Sequence, residues 1–379
     1  MKAYIKSIMP THVWQKMRNT KQDTRDMVHR IKGQLTPSPF HESLKTTPKI
    51  LILGVADYEN LGDHAIAYAQ RKFVDKIVDG NQKRLIVEVP SRTPIRHVID
   101  IVAPDDVLLF TGGGNFGDFY KFSQDIFTPI IEAFPTHPKV FFPQSFTFKS
   151  DTDFSDERSV SGKLLAACNL AGRNLTIVAR ESKSYDLFKK HFPNNNILFT
   201  PDIVLSLNVR DNYYVAHASE CKRGIKLFMR GPGEKVLDER IQEDFVTSLK
   251  MLRGYVNMDA EDYPSDVSID GRKLALTKLW STIADNEVLV TDRLHGLILA
   301  HITGTPCLVF DNHNSKIKMT VKDWLSNTPG IVFVDPREPL VVDDLVKLVD
   351  GLSGKTVEPF DATQAYAPLT DILNQHIND

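Results

Sequence analysis

The sequence predicts an α/β chain of two Rossmann-like domains facing across a cleft. Three observations carry this. Short apolar runs alternate with segments long enough for crossover helices, the pattern restarts after residue 208, and turns rich in Gly, Asn, Asp and Arg follow the apolar runs. A length of 379 residues suits two domains of ordinary size. The expected division is a basic arm and linker at 1–47, a first domain at 48–207 and a second at 208–379.

Taken in order, residues 1–47 have no clean period and end in Thr36-Pro-Ser-Pro and Thr46-Thr-Pro, the composition of an arm and a linker. Regular alternation begins at Ile50–Val55, a strand, followed by a polar loop and a helix from His64 to Val78 with Ile66, Ala69, Phe73 and Ile77 on one face. Leu85–Val89, Val107–Phe110, Val140–Phe142, Leu175–Val178 and Ile197–Phe199 are further strands. The polar segment 208–223 marks the boundary. Beyond it come a strand at Ile225–Met229, a helix from about Glu234 to Tyr255, and another around Leu274–Ile283. Within Glu287–Asp311, Val288–Val290 form a strand and Asp292 is placed to cap a helix with Leu294, Leu297, Ile298 and Ile302 on one side. Gly304-Thr-Pro stops that helix before the next strand, and Ile331–Val334 adds another.

Open parallel sheets bind ligands beyond the carboxyl ends of their strands. Here seven such ends are polar: Asn60-Leu-Gly-Asp63, Thr111-Gly-Gly-Gly-Asn-Phe-Gly-Asp118, Pro143-Gln-Ser145, Ala179-Arg-Glu-Ser182, Pro201-Asp202, Arg230-Gly-Pro-Gly233 and Asp292-Arg-Leu-His295. Each can be read as turn chemistry alone. Arg293 and His295 at a helix N-terminus also make a plausible anion site, because unpaired N–H groups and the positive dipole end lie there. Gly112–Gly117 satisfies G-x-G-x-x-G, yet it follows the third strand and no acid ends the next one, so a dinucleotide site is disfavoured. The three glycines suit close approach of backbone N–H groups to an anion or a sugar. There is no G-x-S-x-G, Walker A sequence or H-E-x-x-H pair, and the scattered histidines do not support a metal site.

Together, Asn60-Leu-Gly-Asp63, Thr111–Asp118, Pro143-Gln-Ser145, Arg180-Glu181 with Ser184, Pro201-Asp202, Asp292-Arg-Leu-His-Gly296 and Asn314-Ser-Lys316 resemble the ordered motifs of the polysaccharide pyruvyltransferase family over about residues 50–320. The resemblance implies a glycosyltransferase-B-like fold and transfer of the pyruvyl group of phosphoenolpyruvate to two hydroxyls of a saccharide as a cyclic ketal, in exopolysaccharide or cell-wall polysaccharide synthesis. Phosphoenolpyruvate is then a co-substrate, with no cofactor or metal required. Carried over, Arg293, Arg180 and His295 are the donor ligands, and Arg230 and Lys316 are further cations suited to a phosphate and a carboxylate. His295, Asp63, Asp118 and Glu181 are the candidates for proton transfer. The position of His295 beside Arg293 and a helix N-terminus should depress its pKa, which leaves open whether it is an acid or a neutral phosphate ligand. Acceptor contacts are expected from Asn60, Gly62, His64, Gly113, Gly114, Asn115 and Gln144. A nucleotide-sugar glycosyltransferase of the same fold and a non-catalytic saccharide-binding or scaffold subunit are the alternatives.

Composition narrows the setting. With 46 basic and 48 acidic residues the net charge is -2, and nothing global favours nucleic acid. Residues 1–47 carry nine basic against three acidic side chains, a local excess that suits either a solvated arm or peripheral contact with an anionic membrane. Three widely spaced cysteines, Cys168, Cys221 and Cys307, fit a reducing compartment. No run approaches a membrane span and the N-terminus is a poor signal peptide. The expected location is cytoplasmic, with the inner face of the plasma membrane as the place where the arm would meet a lipid-linked acceptor.

Overall fold

Continuous β-branched and aliphatic runs form strands buried on both faces, the composition that parallel sheets require. The computed structural model describes residues 37–78, 84–118, 121–220, 224–230, 236–253, 256–258 and 267–378. Among these, twelve strands form two sheets. The first contains β1 (Lys49–Val55), β2 (Leu85–Pro90), β3 (Val107–Phe110), β4 (Gly113–Phe116), β5 (Lys139–Phe146), β6 (Leu175–Ala179) and β7 (Asn196–Phe199). Their order is β2-β1-β3-β5-β6-β7, with β4 paired to the end of β5. The second contains β8 (Ile225–Phe228), β9 (Val256–Met258), β10 (Val288–Thr291), β11 (Cys307–Phe310) and β12 (Ile331–Val334) in the order β12-β11-β10-β8-β9. Every pairing is parallel, so each sheet gathers its strand C-termini on one edge. The expected mixed α/β class with parallel strands is therefore what the chain adopts.

The helices are α1 (Leu61–Val78), α2 (Lys121–Ala133), α3 (Val160–Ala171), α4 (Ser182–His191), α5 (Tyr213–Glu220), α6 (Glu239–Arg253), α7 (Arg272–Ala284), α8 (Leu294–Thr303), α9 (Lys316–Thr320), α10 (Val342–Leu352) and α11 (Ala367–Asn378), with shorter turns between them. Two elements depart from the sequence reading. The glycine-rich stretch expected as a loop contains β4, and the polar segment 208–223 contains α5, anchored by Val215 at 1% exposure. The first 36 residues of the arm, Cys221, the turn at 231–233 and the expected start of the helix near Glu234 lie outside the described residues.

Three apolar cores hold the layers. One fills the outer face of the first sheet, where Phe110, Phe116, Phe127, Phe141, Phe188 and Phe192 pack edge to face or stacked. Another lies between the second sheet, α6 and α10. The third runs without interruption from Ile50, Ile52 and α1 of the first half to Leu276, Trp280, Leu297 and Ile298 of the second. α8 shows why. Its sequence LHGLILAHIT is apolar nearly all round, and such a helix is stable only when enclosed; Leu297 and Ile298 are fully buried, worth about 2 kcal/mol each relative to exposure. It ends at Gly304, whose left-handed φ of 77° closes the C-cap. α11 crosses back to the first half, burying Leu369, Leu373 and Ile377 in this shared core beside α1 and β7.

Polar contacts reinforce the seam. Arg272 at the start of α7 donates from Nη2 to both oxygens of Glu88 on β2, at 2.7 and 3.0 Å, with side chains 5% and 11% exposed. Removing one partner strands a buried charge, at a cost of about 3 kcal/mol. Arg272→Ala is expected to lower the unfolding free energy from urea titration by that amount, while Arg272→Met with Glu88→Leu recovers much of it. Equal losses in the single and paired variants would show that the ion pair is immaterial.

Candidate functional site

The strand C-termini of the two sheets meet at one cluster of charged side chains. From the first sheet, the chain leaves β1 through Tyr58 to Asn60, whose Oδ1 accepts the Gly62 N–H at 2.9 Å and starts α1. Gly62 touches the His295 ring: a Cβ there would lie 2.8 Å from Cγ and closer still to Nδ1. Asp63 follows, accepting the Tyr58 hydroxyl at 3.0 Å. Beyond β3, Gln144 of β5 donates to the Thr111 carbonyl and accepts the Asn115 N–H at 3.3 Å, which draws β4 against β5. Gly114 on β4 faces both halves: an added Cβ would lie 3.1 Å from Lys316 Nζ of the second and 3.9 Å from Arg180 Nη2 of the first.

Arg180, at the end of β6, is 3% exposed. It donates from Nε to Ser145 Oγ at 2.8 Å and from Nη1 to Asp202 Oδ2 at 2.6 Å, and lies 3.6 Å from Glu181 Oε2. Charge-assisted bonds of this kind satisfy a buried guanidinium that would otherwise be prohibitive. Asp202 also faces His295, with Nε2 3.8 Å from Oδ2.

The second sheet contributes through β8, β10 and β11. Arg230, two residues past β8, has its N–H on Asp292 Oδ1 at 2.7 Å. Asp292 therefore does not cap α8; Arg293 occupies the N-cap position and receives no side-chain cap, its N–H going to Thr291 Oγ1 at 3.1 Å. After β11, Ser315 takes a positive φ of 56°, which among the described residues no other non-glycine residue shows. Such strain persists where surroundings over-determine it, and here it turns the chain into α9 with Lys316 over Gly114. The following π turn, Val321–Leu325, docks on the first half. Asp323 accepts the Ser182 N–H and hydroxyl at 2.7 and 2.9 Å, and the Trp324 indole donates to the Arg180 carbonyl at 2.8 Å.

The charges tune one another. Burial is the main influence on His295, holding its pKa below the usual imidazole value; Arg180 and Arg230 add to this, while Asp202 and Asp63 oppose it. The depression expected from the sequence is present, but burial is its first cause, and the guanidiniums that add to it are Arg180 and Arg230 rather than Arg293. Burial likewise raises the Asp63 pKa against His295, Tyr58 and Arg180. Lys316 is brought down to about 8 by burial, then by Arg180 and Arg230, with Glu181 and Asp63 acting the other way. At neutral pH the cluster thus offers a neutral imidazole, a carboxyl group nearer to protonation than usual and a readily discharged ammonium.

The structure brings together His295, Asp63, Glu181, Arg180, Arg230, Lys316, Gly62 and Gly114. Asn60, Gly113 and Asn115 border them through α1 and β4. Four expected site residues are engaged elsewhere. Asp118 accepts the Lys149 N–H at 3.0 Å and the Thr152 hydroxyl at 2.6 Å, fixing a surface turn. His64 is fully buried, its Nε2 on the Tyr58 carbonyl at 2.8 Å, and Gln144 is buried as the strut of β4. Arg293 lies with its guanidinium 4.7 Å from the Phe228 ring centroid and donates to the Met229 carbonyl at 3.1 Å. Asp202, Ser145 and Tyr58 join the site without having been singled out as site residues. The Pro201-Asp202 and Pro143-Gln-Ser145 motifs were the signal for the first two, whereas nothing in the local sequence marks Tyr58 or Asp323. Among the described residues, no three His, Cys, Asp or Glu side chains are grouped to hold a metal ion. No helix among them is long and apolar enough to cross a membrane.

Buried charges at the carboxyl edges of two parallel sheets mark an α/β protein with a candidate site drawn from both halves. The chain belongs to the polysaccharide pyruvyl transferase family, whose model matches residues 60–314. It is 30% identical over 357 residues to General stress protein 30 of Bacillus subtilis, spanning 91% of this chain and 99% of that one. It is 28% identical to Pyruvyl transferase 1 of Schizosaccharomyces pombe over 295 residues, 73% of this chain and 70% of that one. In fold it is similar to a functionally uncharacterised protein of Klebsiella pneumoniae, with a TM-score of 0.50, 18% identity, and 77% and 95% of the two chains covered.

The contact of Gly62 with His295 is open to direct test. Gly62→Ala is expected to displace the imidazole, because a Cβ lies inside its contact distance. The histidine ring resonances should shift while the thermal midpoint changes little; unaltered resonances would refute the contact.

Proposed function

We propose that this protein moves the pyruvyl group of phosphoenolpyruvate onto two hydroxyls of a saccharide, forming a cyclic ketal during exopolysaccharide or cell-wall polysaccharide synthesis. The observation that carries this reading is the convergence of Arg180, Lys316, Arg230 and His295, with Lys316 and Arg180 packed over Gly114 and the His295 ring over Gly62. A phosphate and a carboxylate on three carbons need several fixed cations within a few ångströms, and this grouping supplies them. In this reading the halves are Rossmann-like domains of the glycosyltransferase-B type, divided near residue 208 around a donor and acceptor cleft.

The chemistry follows from the charge states. Asp63, raised toward protonation, gives its proton to the enol methylene carbon, which becomes the methyl group. One saccharide hydroxyl adds to the central carbon. Phosphate leaves with its bonding pair, held by Lys316 and Arg180, and the second hydroxyl closes the ketal. Of the two hydroxyl protons, one restores Asp63 and the other departs on phosphate. His295, uncharged at pH 7, stands beside the guanidinium of Arg180 that helps hold the phosphate. Arg293, two residues before it, packs on Phe228 and bonds the Met229 carbonyl, so it supports the turn that carries His295. The acceptor is met by Asn60, Gly113 and Asn115 at the edge of the first sheet.

Mass spectrometry of a saccharide panel incubated with phosphoenolpyruvate is expected to detect pyruvate ketals with release of inorganic phosphate. Consumption of nucleotide sugars in their place would overturn the reading. Arg180→Ala and His295→Ala should each lower turnover by about a hundredfold or more while remaining folded. Free-enzyme kcat/KM for phosphoenolpyruvate should fall as pH rises through about 8, where Lys316 loses its proton. Lys316→Arg, which stays charged, should move that limb to higher pH; an unchanged limb would remove Lys316 from donor binding.

A further inference from the structure

Asp202 stands where the chain leaves β7 for the second half, and it is 1% exposed. Its side chain and backbone are both tied down. Oδ1 accepts the Val204 N–H at 3.0 Å, capping the short turn Ile203–Ser206, and the Asp202 carbonyl accepts the Tyr366 hydroxyl at 2.5 Å. That leaves Oδ2 aimed at two groups from different halves, Arg180 Nη1 at 2.6 Å and His295 Nε2 at 3.8 Å. With its carboxylate held by the Val204 N–H and Arg180 and its carbonyl held by Tyr366, Asp202 is a fixed reference for the Arg180 and His295 side chains.

The opposite edge of the imidazole meets a different field. Nδ1 lies against Gly62, in the first turn of the 18-residue α1, where the helix dipole presents its positive end. A lone pair is favoured there over an N–H. At Nε2 the facing carboxylate favours an N–H. We propose that Asp202 is the positioning residue of this site: it locks the Arg180 guanidinium in place and keeps the neutral His295 ring in the tautomer protonated at Nε2. The ring is then a hydrogen-bond donor on the side facing Asp202, and at neutral pH it does not act as a base through Nε2.

The charges that face the ring come from four elements. Asp63 on α1 and Asp202 after β7 favour the imidazolium, whereas Arg180 after β6 and Arg230 after β8 oppose it. Lys316 on α9 stands among the same groups, with Glu181 beside it. Removing the Asp202 charge takes away an influence that raises the ring pKa, so the pKa must fall. An opposite charge at this separation shifts a titration by about one unit or more.

The tautomer can be read without turnover. In full-length protein labelled with 15N at histidine, His295 is assigned by comparison with His295→Gln. The wild-type neutral ring should show a protonated Nε2 and a bare Nδ1. In Asp202→Asn the ring pKa should drop by about one unit, and the acidic limb of the kcat profile should move down with it. Asp202→Glu should restore part of both. A ring protonated at Nδ1 in the wild type, or an unaltered titration in an Asp202→Asn variant with native near-ultraviolet circular dichroism, would overturn the proposal. If Asp202→Asn fails to fold, the wild-type tautomer decides alone. The kinetic consequence rests on the pyruvyl-transfer reading; the tautomer does not. Absence of ketal formation by the wild type would therefore refute that reading while leaving the resonance result to judge Asp202.

Discussion

A guanidinium withdrawn from water has to be paired, and the arrangement of this site follows from how Arg180 meets that demand. Its partners are Asp202 and Ser145, supplied by the strands on either side of β6, and its own carbonyl is held by Trp324 from the second half. Cation, counter-ion and the contact with Trp324 therefore form one unit. Loosening any member would leave buried charge without compensation. The same unit borders Gly114 and Lys316, so the condition that keeps Arg180 folded in place also holds it within the charged cluster.

Two parallel sheets make this convergence possible. Each sends its polar turns to one edge, and the continuous core between α1, α7 and α8 brings those edges together. Polar contacts then set the alignment to within the length of a side chain: Arg272 on Glu88 at one place, Asp323 on Ser182 at another. The second of these also puts a carboxylate at the N-terminus of α4, where the helix dipole favours it. Lys316 and Trp324 lie on consecutive turns, so docking the π turn on the first half also carries the lysine to Gly114.

Much of this was legible in the order of residues. Continuous apolar runs at Ile50–Val55 and Val288–Val290 identify buried parallel strands because the sheets are covered on both faces. The motifs at their ends mark the site because topology collects them. What periodicity could not reveal was the direction of individual side chains. Asp118 and Asp63 both follow glycines at strand ends, yet one is spent on the 149–152 turn and the other enters the cluster. Asp292 looks like a helix cap, but a nearer demand, the Arg230 N–H at the end of the neighbouring strand, draws its carboxylate away. β4 was hidden because glycines weaken a strand signal; Gln144, remote in sequence, supplies what they lack. The importance of Asp202 depended on three partners from distant parts of the chain.

α11 has a consequence for modularity. It lies at the end of the sequence but covers α1 and β7 of the first half, with Tyr366 bonded to Asp202. In terms of recombination, the first half is not a contiguous cassette. A chimera that exchanged residues 48–207 between relatives would retain a foreign lid on its inner face and a foreign hydroxyl on the residue that orients Arg180 and His295. The natural unit of exchange is that segment together with Ala362–Asn378, two pieces separated in sequence by the whole of the second sheet.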